Sequence, residues 1–598
     1  METLEDVHHQ FALFFKSEII QPYAYLLFKK LQEGHICLNL AESEAEATNL
    51  PTALQQRGLQ MELLYTDILV GSANTDRKPF MLCNNHLYLH RYYRYETIIL
   101  EQILKLISQE HALYAERVSH LQEQAAFLRE LFNGIIPDPY NQEQADWQMT
   151  AAVTALLNNF TIITGGPGTG KTTTVAKTLI LLFKVQPALK VALAAPTGKA
   201  AARLGESLKK ASAGKSPENS ALFQSLQPVT IHRLLKAIPD SHHFRHHRRN
   251  PLDFDVIIVD EASMIDAALM SKLLDAVGEH TRLILLGDKN QLASVEAGSL
   301  FGDLCQAHIN KFHPARLGFI NALIDNPSRQ IGASKHASEA GHPLINHTIE
   351  LTYSHRFSGY SGIGVFSKAI LNNDESLLLQ FINTVRQEDD IEVFTHQQPE
   401  YFQKFIIGYS AFIQEEDIRL ALQKLQQLRV LCAVREGEQG VLAVNRRIEK
   451  FLEYKGFISL NGEFYEHKPI IITANNYPLG LFNGDIGIIR KDANGTMKAW
   501  FEDRDGNLFS VTPGYLGASE PVYAMTIHKS QGSEFDQAYV LLPASEDVSL
   551  LTRELLYTAI TRAKHKVYLQ GAPDVIIGAC SRKIKRASGI SQRFEAAI

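Results

Sequence analysis

The sequence has few cysteines and no long hydrophobic run, and both absences limit the class of protein. Its five cysteines are scattered without a CxxC pair, which excludes a disulfide framework and gives no zinc-ligand spacing. No apolar run approaches the roughly 18 residues that a membrane span requires. Residues 1–6 are acidic and lack the basic and apolar layout of a signal peptide. We therefore expect a cytoplasmic protein with no membrane partner.

Excess positive charge is also lacking, since the formal net charge is −6. This balance argues against a small basic domain that coats nucleic acid. It does not exclude a large protein with a local basic channel, because overall charge says little about a single groove. Composition therefore leaves nucleic-acid binding open.

The chain of 598 residues is too long for one hydrophobic core. At about 150 residues per domain, it predicts about four domains. Residues 1–120 are predicted to form a mostly helical domain. The aromatic and basic stretch 88–96 is interpreted as a helix that packs its tyrosines in a small bundle, and the alternative is a surface that binds a partner or DNA.

Short apolar runs that alternate with helical segments predict two α/β domains, at 121–347 and 348–598. Runs this short and apolar are typical of buried parallel strands. The runs of the first domain are 161–164, 191–194, 256–259 and 283–286, and those of the second are 430–434, 539–542 and 566–569. Between about 455 and 522, turn dipeptides such as Asn483-Gly484 and Asn494-Gly495 separate strand-like stretches, which predicts a small antiparallel barrel inserted in the second domain.

A phosphate-binding loop stands between a predicted strand (161–164) and a predicted helix (172–183). The segment matches G-x-x-x-x-G-K-[ST] without deviation, and the strand–loop–helix frame supports the match. Glycines let backbone N–H groups curl around phosphates, and the helix N-terminus adds partial positive charge. We expect the Lys171 ammonium to reach the β- and γ-phosphates of ATP and the Thr172 hydroxyl to bind Mg²⁺. The predicted nucleotide-binding residues are Gly165, Gly166, Pro167, Gly168, Thr169, Gly170, Lys171, Thr172 and Thr173.

Two further strands are predicted to deliver acids and an amide to the same site. The run 256–259 ends in Asp260 and Glu261. Asp260 is expected to hold Mg²⁺, and Glu261 to polarise the attacking water as general base. The strand 282–286 leads into Gly287-Asp288-Lys289-Asn290-Gln291, where Gln291 is placed to sense the γ-phosphate.

The ordered set of motifs resembles superfamily 1 helicases. Besides the segments above, this set contains three further motifs. They are Ala-Pro-Thr-Gly-Lys-Ala-Ala at 195–201, Ala-Met-Thr-Ile-His-Lys-Ser-Gln-Gly-Ser-Glu-Phe at 524–535 and Tyr-Thr-Ala-Ile-Thr-Arg-Ala at 557–563. Over nearly the whole chain, the sequence resembles the RecD family, the alpha subunits of bacterial exodeoxyribonuclease V. The N-terminal match departs at Tyr93, where the family pattern has tryptophan. The implied fold is α/β, with two RecA-like P-loop motor domains, a helical N-terminal domain and a small SH3-like β-barrel insertion.

The resemblance also implies roles for single residues of the nucleotide site. Gln148 would read the adenine edge, and Glu534 would touch the ribose. Arg356 and Arg562 would reach the γ-phosphate from the second motor domain. Arginines in this position stabilise the charge of the phosphoryl-transfer transition state, by about 10³–10⁵ in rate.

A second group of residues is implied to contact DNA. Hydroxyl, imidazole, ammonium and amide groups of this kind grip a single strand through its phosphates and bases. The implied DNA-contact residues are Thr197, Lys199, Thr230, His232, Thr526, His528, Lys529 and Gln531.

The implied function is ATP-driven 5′→3′ movement on single-stranded DNA and at duplex ends, within a heterotrimer used in double-strand break repair and recombination. The N-terminal domain would dock on the RecC-like gamma subunit. The sequence shows no clustered Asp/Glu/Lys set outside the ATP site, and the resemblance implies that the RecB-like beta subunit carries the nuclease. Two alternatives stay open: a stand-alone 5′→3′ helicase of the same branch, and an ATP-dependent clamp that does not translocate.

Overall fold

The computed structural model describes residues 6–133, 144–212, 223–294, 296–298, 300–306, 308–357, 361–383, 390–503, 506–545, 550–584 and 586–597. Within these ranges, no helix is both long and apolar enough to cross a bilayer. All five cysteines are unpaired thiols, and only Cys83 is more than slightly exposed.

The N-terminal region combines helices with a small sheet that the sequence did not predict. Its strands run in the order β1-β4-β3-β2, with β4 antiparallel to both β1 and β3. Helices still predominate, as expected. The strands are β1 Cys37–Asn39, β2 Val70–Gly71, β3 Phe80–Cys83 and β4 His86–Leu89, and the helices are α1 Val7–Phe14, α2 Ile20–Gln32, α3 Leu40–Glu46, α4 Thr52–Gln55 and α5 Met61–Leu64.

A 34-residue helix, α6 (His90–Glu123), follows β4 directly. The aromatic stretch 88–96 is therefore not all helical, because Tyr88 and Leu89 end the strand. The predicted boundary at residue 120 is also wrong, since α6 runs through it without a break. The helix joins the N-terminal sheet to the first α/β layer, where its residues Ile99 and Ile103 share a core with the parallel strands.

The first α/β layer is a six-stranded parallel sheet in the order β10-β5-β9-β8-β6-β7. All four strands predicted here are confirmed. Alternate residues of β8 enter two separate cores, with Ile257 and Val259 on one face and Val256 and Ile258 on the other. Burial on both faces explains why these strands read as continuous apolar runs. The strands are β5 Phe160–Gly165, β6 Val191–Ala195, β7 Val229–Thr230, β8 Val256–Val259, β9 Arg282–Gly287 and β10 Thr348–Leu351.

The boundary predicted at 347/348 is misplaced, because β10 belongs to the first sheet. Its residues pair in parallel with β5, from Thr348 opposite Ile162 to Leu351 opposite Gly165. The first layer therefore extends to Leu351. Its helices are α7 Ala125–Phe132, α8 Trp147–Leu157, α9 Lys171–Val185, α10 Gly198–Ser212, α11 Ile231–Leu234, α12 Ala267–Ala276, α13 Phe301–Gln306, α14 Pro314–Leu323 and α15 Ala333–His336.

The second α/β layer is a five-stranded parallel sheet in the order β11-β20-β19-β12-β18. Its three predicted strands are confirmed in β12, β19 and β20, although the predicted runs 430–434 and 539–542 extend past the ends of β12 at Cys432 and of β19 at Leu541. The strands are β11 Ile391–Phe394, β12 Leu428–Cys432, β18 Ala524–Thr526, β19 Phe535–Leu541 and β20 Ala563–Gln570. The helices are α16 Gly362–Asn372, α17 Glu375–Asn383, α18 Pro399–Ile407, α19 Ser410–Ile413, α20 Ile418–Leu425, α21 Val441–Tyr454, α22 Arg553–Ile560 and α23 Pro573–Ser581, and the last helix of the chain, α24 Ile590–Glu595, packs outside this layer.

An antiparallel sheet is inserted between β12 and β18, in the order β16-β15-β14-β13-β17. It falls within the predicted insertion at 455–522 and has its own small core around Ile470, Ile489 and Phe501. Because β16 and β17 are its edge strands, a closed SH3-like barrel stays a prediction. The strands are β13 Pro469–Ile472, β14 Ile486–Lys491, β15 Met497–Glu502, β16 Leu508–Val511 and β17 Ser519–Pro521.

The last described segment, residues 586–597, leaves the second layer and packs on the first layer and the N-terminal region. The Ile36 N–H donates to the Ala587 carbonyl (3.2 Å), and Phe594 joins the core of the first layer. The Arg593 guanidinium donates to the Glu96 carboxylate (3.0 Å) and to the Thr97 hydroxyl (2.8 Å). Assigning every residue after 347 to the second domain was therefore wrong for this segment.

The buried pair between Glu96 and Arg593 predicts how firmly this segment is held. Glu96 is fully buried and Arg593 is 7% exposed. Glu96→Ala leaves a buried guanidinium without its carboxylate, which typically costs about 3–5 kcal/mol. We expect a lower melting temperature and faster protease cleavage within residues 586–597.

The matched control is Glu279→Ala, which removes the exposed ion pair with Lys105 on the same helix α6. Exposed ion pairs contribute little to the free energy of unfolding, so this variant should melt and be cleaved as the wild type is. Equal melting and cleavage of the two variants would show that the Glu96 pair does not fasten the segment.

Candidate functional site

The phosphate loop lies at the carboxyl end of β5, where the chain turns into α9. The Lys171 ammonium donates to the carbonyls of Gly165 (2.5 Å) and Gly166 (3.1 Å), and the Thr169 hydroxyl donates to the Gly166 carbonyl (2.8 Å). The 15-residue helix α9 begins at Lys171, so its N-terminal amides point into the loop. This arrangement is suited to an anion such as a phosphate group.

Two glycines of the loop are required by both backbone and neighbours. Gly168 and Gly170 have φ of 77° and 85°, in the left-handed region that disfavours side chains. A Cβ on Gly168 would collide with Arg356, and one on Gly170 would collide with the Gln148 amide. Side chains from outside the loop therefore press directly against it.

The two acids after β8 lie beside this loop. The Glu261 N–H donates to Asp260 Oδ1 (2.8 Å), and Glu261 has φ of 53°, a strained value for a residue with a side chain. Burial raises the pKa of the Asp260 carboxyl, and the Glu261 charge raises it further, while the Lys171 ammonium opposes both. A second cation would relieve this cost. Asp260 and the Thr172 hydroxyl are oxygen donors of the kind that hold Mg²⁺.

Asp288 and Gln291 follow β9 at the same edge of the sheet. Asp288 is 1% exposed and accepts from the Gln291 amide through Oδ2 (3.0 Å) and from the Asn290 N–H through Oδ1 (3.0 Å). Burial raises the pKa of the Asp288 carboxyl, against the nearby Lys171 ammonium. The predicted sensor amide is thus held by a buried acid.

Three arginines surround the Glu534 carboxylate. Its Oε1 accepts from Arg356 (2.8 Å) and its Oε2 pairs with Arg203 (2.7 Å), while the guanidinium of Arg562 lies nearby and donates to the Ser533 carbonyl (3.2 Å). Burial alone would raise the pKa of Glu534, but these arginines outweigh it and lower the pKa to about 2. The cluster carries more positive than negative charge, which favours an added anion.

These groups face one cavity of about 540 Å³, a volume typical of ligand sites. Among the described residues, the buried Nη1 of Arg356 has no hydrogen-bond partner, so a donor is left for a ligand. Glycines, lysine, acids and arginines therefore fit a nucleoside triphosphate with its metal. The predicted residues that line the cavity are Gln148, Pro167, Gly168, Thr169, Gly170, Lys171, Thr172, Thr173, Asp260, Glu261, Gln291, Arg356, Glu534 and Arg562.

One expectation about this cavity was wrong in its connectivity. Arg356 does not come from the second sheet, because it follows β10, the edge strand of the first. The structure also shows contacts that the sequence did not suggest. The Gln148 amide donates to the Thr169 carbonyl (3.1 Å), and Glu534 binds arginines. Roles in adenine and ribose contact stay predictions.

The predicted DNA-contact residues of the first layer lie at the carboxyl ends of β6 and β7. Thr230 pairs with Ala195, two residues before Thr197. Burial and the nearby Arg429 and Arg203 lower the pKa of Lys199 to about 7, so an approaching phosphate would favour its charged form. Burial also lowers the pKa of His232, which keeps this imidazole neutral at pH 7.

The second-layer candidates lie at the end of β18, an edge strand of that sheet, with Thr526 as its last residue and the other three after it. The Lys529 N–H donates to the Thr526 hydroxyl (3.2 Å), and the Lys529 ammonium pairs with Glu520 (2.9 Å). Burial lowers the pKa of His528. The Gln531 amide donates to the Leu292 carbonyl (2.5 Å) of the first layer, and its contact with DNA stays a prediction.

The two groups of candidates meet between the layers. A Cβ on Gly532 would lie 3.7 Å from Ala200 and 4.0 Å from the Thr197 hydroxyl. Arg203 donates to the Gly532 carbonyl (2.7 Å) as well as to Glu534. The nucleotide cavity and the predicted DNA contacts thus share the segment 532–534.

Sequence reasoning missed Arg203 and gave no role to Asp288 or Tyr557. Arg203 stands four residues after Lys199 on α10, so the spacing that places both on one helix face could have found it. Asp288 and Tyr557 lie inside motifs already identified, but their partnership joins positions 269 residues apart. Only the fold shows that contact.

Comparison with protein families gives two matches. An AAA domain model matches residues 148–297, which hold the phosphate loop and both acids. A UvrD-like helicase C-terminal domain model matches residues 521–570, which hold Glu534 and Arg562. The two models therefore cover both walls of the cavity.

Similar proteins extend this likeness over the chain. The RecBCD enzyme subunit RecD of Mycolicibacterium smegmatis is 36% identical over 588 residues, covering 96% of this chain and 93% of the relative. The ATP-dependent RecD2 DNA helicase of Deinococcus radiodurans is 28% identical over 440 residues, covering 73% of this chain and 50% of that helicase. A solved structure of DNA unwinding at forked double-stranded DNA by two coordinating Pif1 helicases aligns at 15% identity with a TM-score of 0.36, covering 76% of this chain and 96% of that one.

Proposed function

This chain belongs to the RecD family of ATP-dependent DNA helicases, and from that premise we propose that it is the 5′→3′ motor subunit of a RecBCD-type exodeoxyribonuclease V. The observation that carries the proposal is the shared cavity, where Lys171, Asp260 and Glu261 of the first layer face Arg562 of the second. A nucleotide bound there contacts both layers at once. Double-strand break repair and recombination in the cytoplasm are the roles this assignment predicts.

The chain's own residues account for hydrolysis as follows. Lys171 and the loop amides hold the phosphates, and Glu261 takes a proton from the attacking water. Arg356 and Arg562 stabilise the charge that develops on the transferred group. Mg²⁺, held by Thr172 and Asp260, would neutralise charge on the phosphate oxygens. Gln148 is proposed to contact the base at the rim of the cavity.

Movement on DNA follows from the contact between the layers. Arg203 binds both Glu534 and the Gly532 carbonyl, so a phosphate that draws Arg356 from Glu534 changes the cluster beside the predicted DNA contacts. A ligand shifts the balance between open and closed states only by its differential affinity for them. ATP binding favours the closed state, and hydrolysis returns the layers to the open state. Because the two layers bind DNA with different affinities in the two states, each cycle moves the chain along DNA.

The N-terminal region offers the surface proposed to dock on a RecC-like gamma subunit, with a RecB-like beta subunit completing the heterotrimer. Phe14 and Ile68 are 78% and 76% exposed. The Ser17 hydroxyl donates to the Asp67 carboxylate, which brings the end of α1 close to the segment around Ile68. Exposed apolar residues so near each other are typical of protein interfaces. The exposed apolar residues of this region are Val7, Leu13, Phe14, Leu63, Tyr65 and Ile68.

Lys171→Gln tests the motor assignment. The change removes the ammonium that reaches the phosphates, so DNA-stimulated ATP hydrolysis should fall by roughly 10²-fold or more, a loss typical of removing one transition-state contact. The measurement is ATP turnover of the purified full-length chain with and without single-stranded DNA.

The control is Lys184→Gln, the same change in the last turn of the same helix α9. It should leave turnover as in the wild type. Wild-type turnover that does not rise on adding DNA would instead favour the ATP-dependent clamp. Normal turnover in Lys171→Gln would place hydrolysis elsewhere.

The double variant Phe14→Glu and Ile68→Glu tests the docking surface. The double variant removes the hydrophobic contribution of these two side chains to binding. It also places two carboxylates at an apolar interface, where they must be desolvated on binding. We expect capture of this chain by the gamma subunit to weaken at least tenfold, about 1.4 kcal/mol, in a pull-down titration.

Tyr454→Glu is the matched control, because Tyr454 is 82% exposed at the end of α21, in the second layer. It should be captured as the wild type is. Unchanged capture of the double variant would refute this surface. A wild-type chain that purifies from its own cell as a monomer would favour the stand-alone helicase.

A further inference from the structure

One oxygen of the buried Asp288 carboxylate joins the two layers. Oδ2 accepts from the Gln291 amide (3.0 Å) of the first layer and from the Tyr557 hydroxyl (3.2 Å) on α22 of the second. Oδ1 accepts from the Asn290 N–H (3.0 Å). The orientation of the Gln291 amide is thus linked, through one acid, to the position of α22.

Tyr557 also reaches the phosphate loop. A Cβ on Gly166 would lie 2.8 Å from its hydroxyl, so the phenol oxygen stands against the loop backbone. Tyr557 is 5% exposed, and burial together with the Asp288 charge raises its pKa well above the ordinary value. The hydroxyl therefore stays protonated and remains a donor at neutral pH.

Two neighbouring contacts fasten the same segment of the first layer to the second. The Leu292 N–H donates to the Thr558 hydroxyl (2.8 Å), and its carbonyl accepts from the Gln531 amide (2.5 Å). Arg562 lies two residues beyond the end of α22 and five residues after Tyr557. A shift of α22 therefore moves the arginine and the Tyr557 hydroxyl together.

We propose that Tyr557 is a positioning residue, which orients the Gln291 amide through Asp288 only when the two layers are closed. With its nitrogen fixed on Asp288, Gln291 presents its carbonyl oxygen to the cavity, where an acceptor can orient the attacking water. When α22 withdraws, Asp288 loses one of its donors and the amide is free to turn. The inference rests on the proposed function, and it adds a link between closure and water positioning.

Tyr557→Phe tests this in the purified full-length chain. The variant keeps the ring and removes one hydrogen bond. Loss of a bond to a charged group is worth about a factor of ten. We expect DNA-stimulated kcat to fall roughly tenfold, with the KM for ATP changed less than twofold, because Tyr557 acts on water orientation and not on phosphate binding.

A second measurement separates positioning from general structural support. Gln291→Ala removes the amide, so adding Tyr557→Phe to it should lower kcat no further. Asp288→Asn should lower kcat by itself. Adding Tyr557→Phe to Asp288→Asn should lower kcat no further. Losses that multiply in either double variant would overturn the proposal, as would an unchanged kcat in Tyr557→Phe.

The matched control is Tyr539→Phe, which removes a buried phenol hydroxyl bonded to Gln570 (3.0 Å) within the second layer. It should keep kcat within twofold of the wild type. A comparable loss in Tyr539→Phe would show that any buried hydroxyl matters, and would overturn the specific role. If wild-type turnover does not respond to DNA, the proposed function fails and not only this inference.

Discussion

The Glu534 carboxylate holds together the arginines on which the shared cavity depends. Arg203 comes from α10, Arg356 from the connection after β10, and Arg562 from the end of α22. Three guanidinium groups in one place repel each other unless an anion lies among them. Glu534 supplies one negative charge, and the Glu261 charge also acts on Arg562. Positive charge still exceeds negative charge, and a buried nitrogen of Arg356 has no hydrogen-bond partner, so the cluster favours a further anion such as a phosphate group.

Two segments outside the cleft also connect the parts of the chain that form it. The helix α6 joins the N-terminal sheet to the first layer, and the segment 586–597 returns from the second layer to pack on both. The buried pair of Glu96 and Arg593 fixes that return. The two layers are therefore connected by a buried ion pair at the chain's end and by hydrogen bonds around Asp288 and Leu292 at the cavity.

The sequence was sufficient wherever function required a local pattern. Strands buried on both faces stand out as apolar runs, and a glycine-rich loop between a strand and a helix has a fixed local pattern, so β5, β8 and the strand–loop–helix frame around Lys171 were predicted correctly. Pairings between distant segments leave no such local mark. The alignment of β10 with β5, the N-terminal sheet, and the bond from Gln531 to Leu292 were therefore missed or misassigned. Arg203 had a detectable helical spacing, but its partner Glu534 lies 331 residues away.

The central claim is that one cleft couples nucleotide and DNA, and thermodynamic linkage tests it most directly. Binding of a non-hydrolysable ATP analogue should be measured by titration of the full-length chain with and without single-stranded DNA, and the DNA affinity with and without the analogue. The account predicts that each ligand strengthens the other by the same factor, about 5–150-fold for typical coupling energies. Affinities that are independent of the other ligand would contradict it.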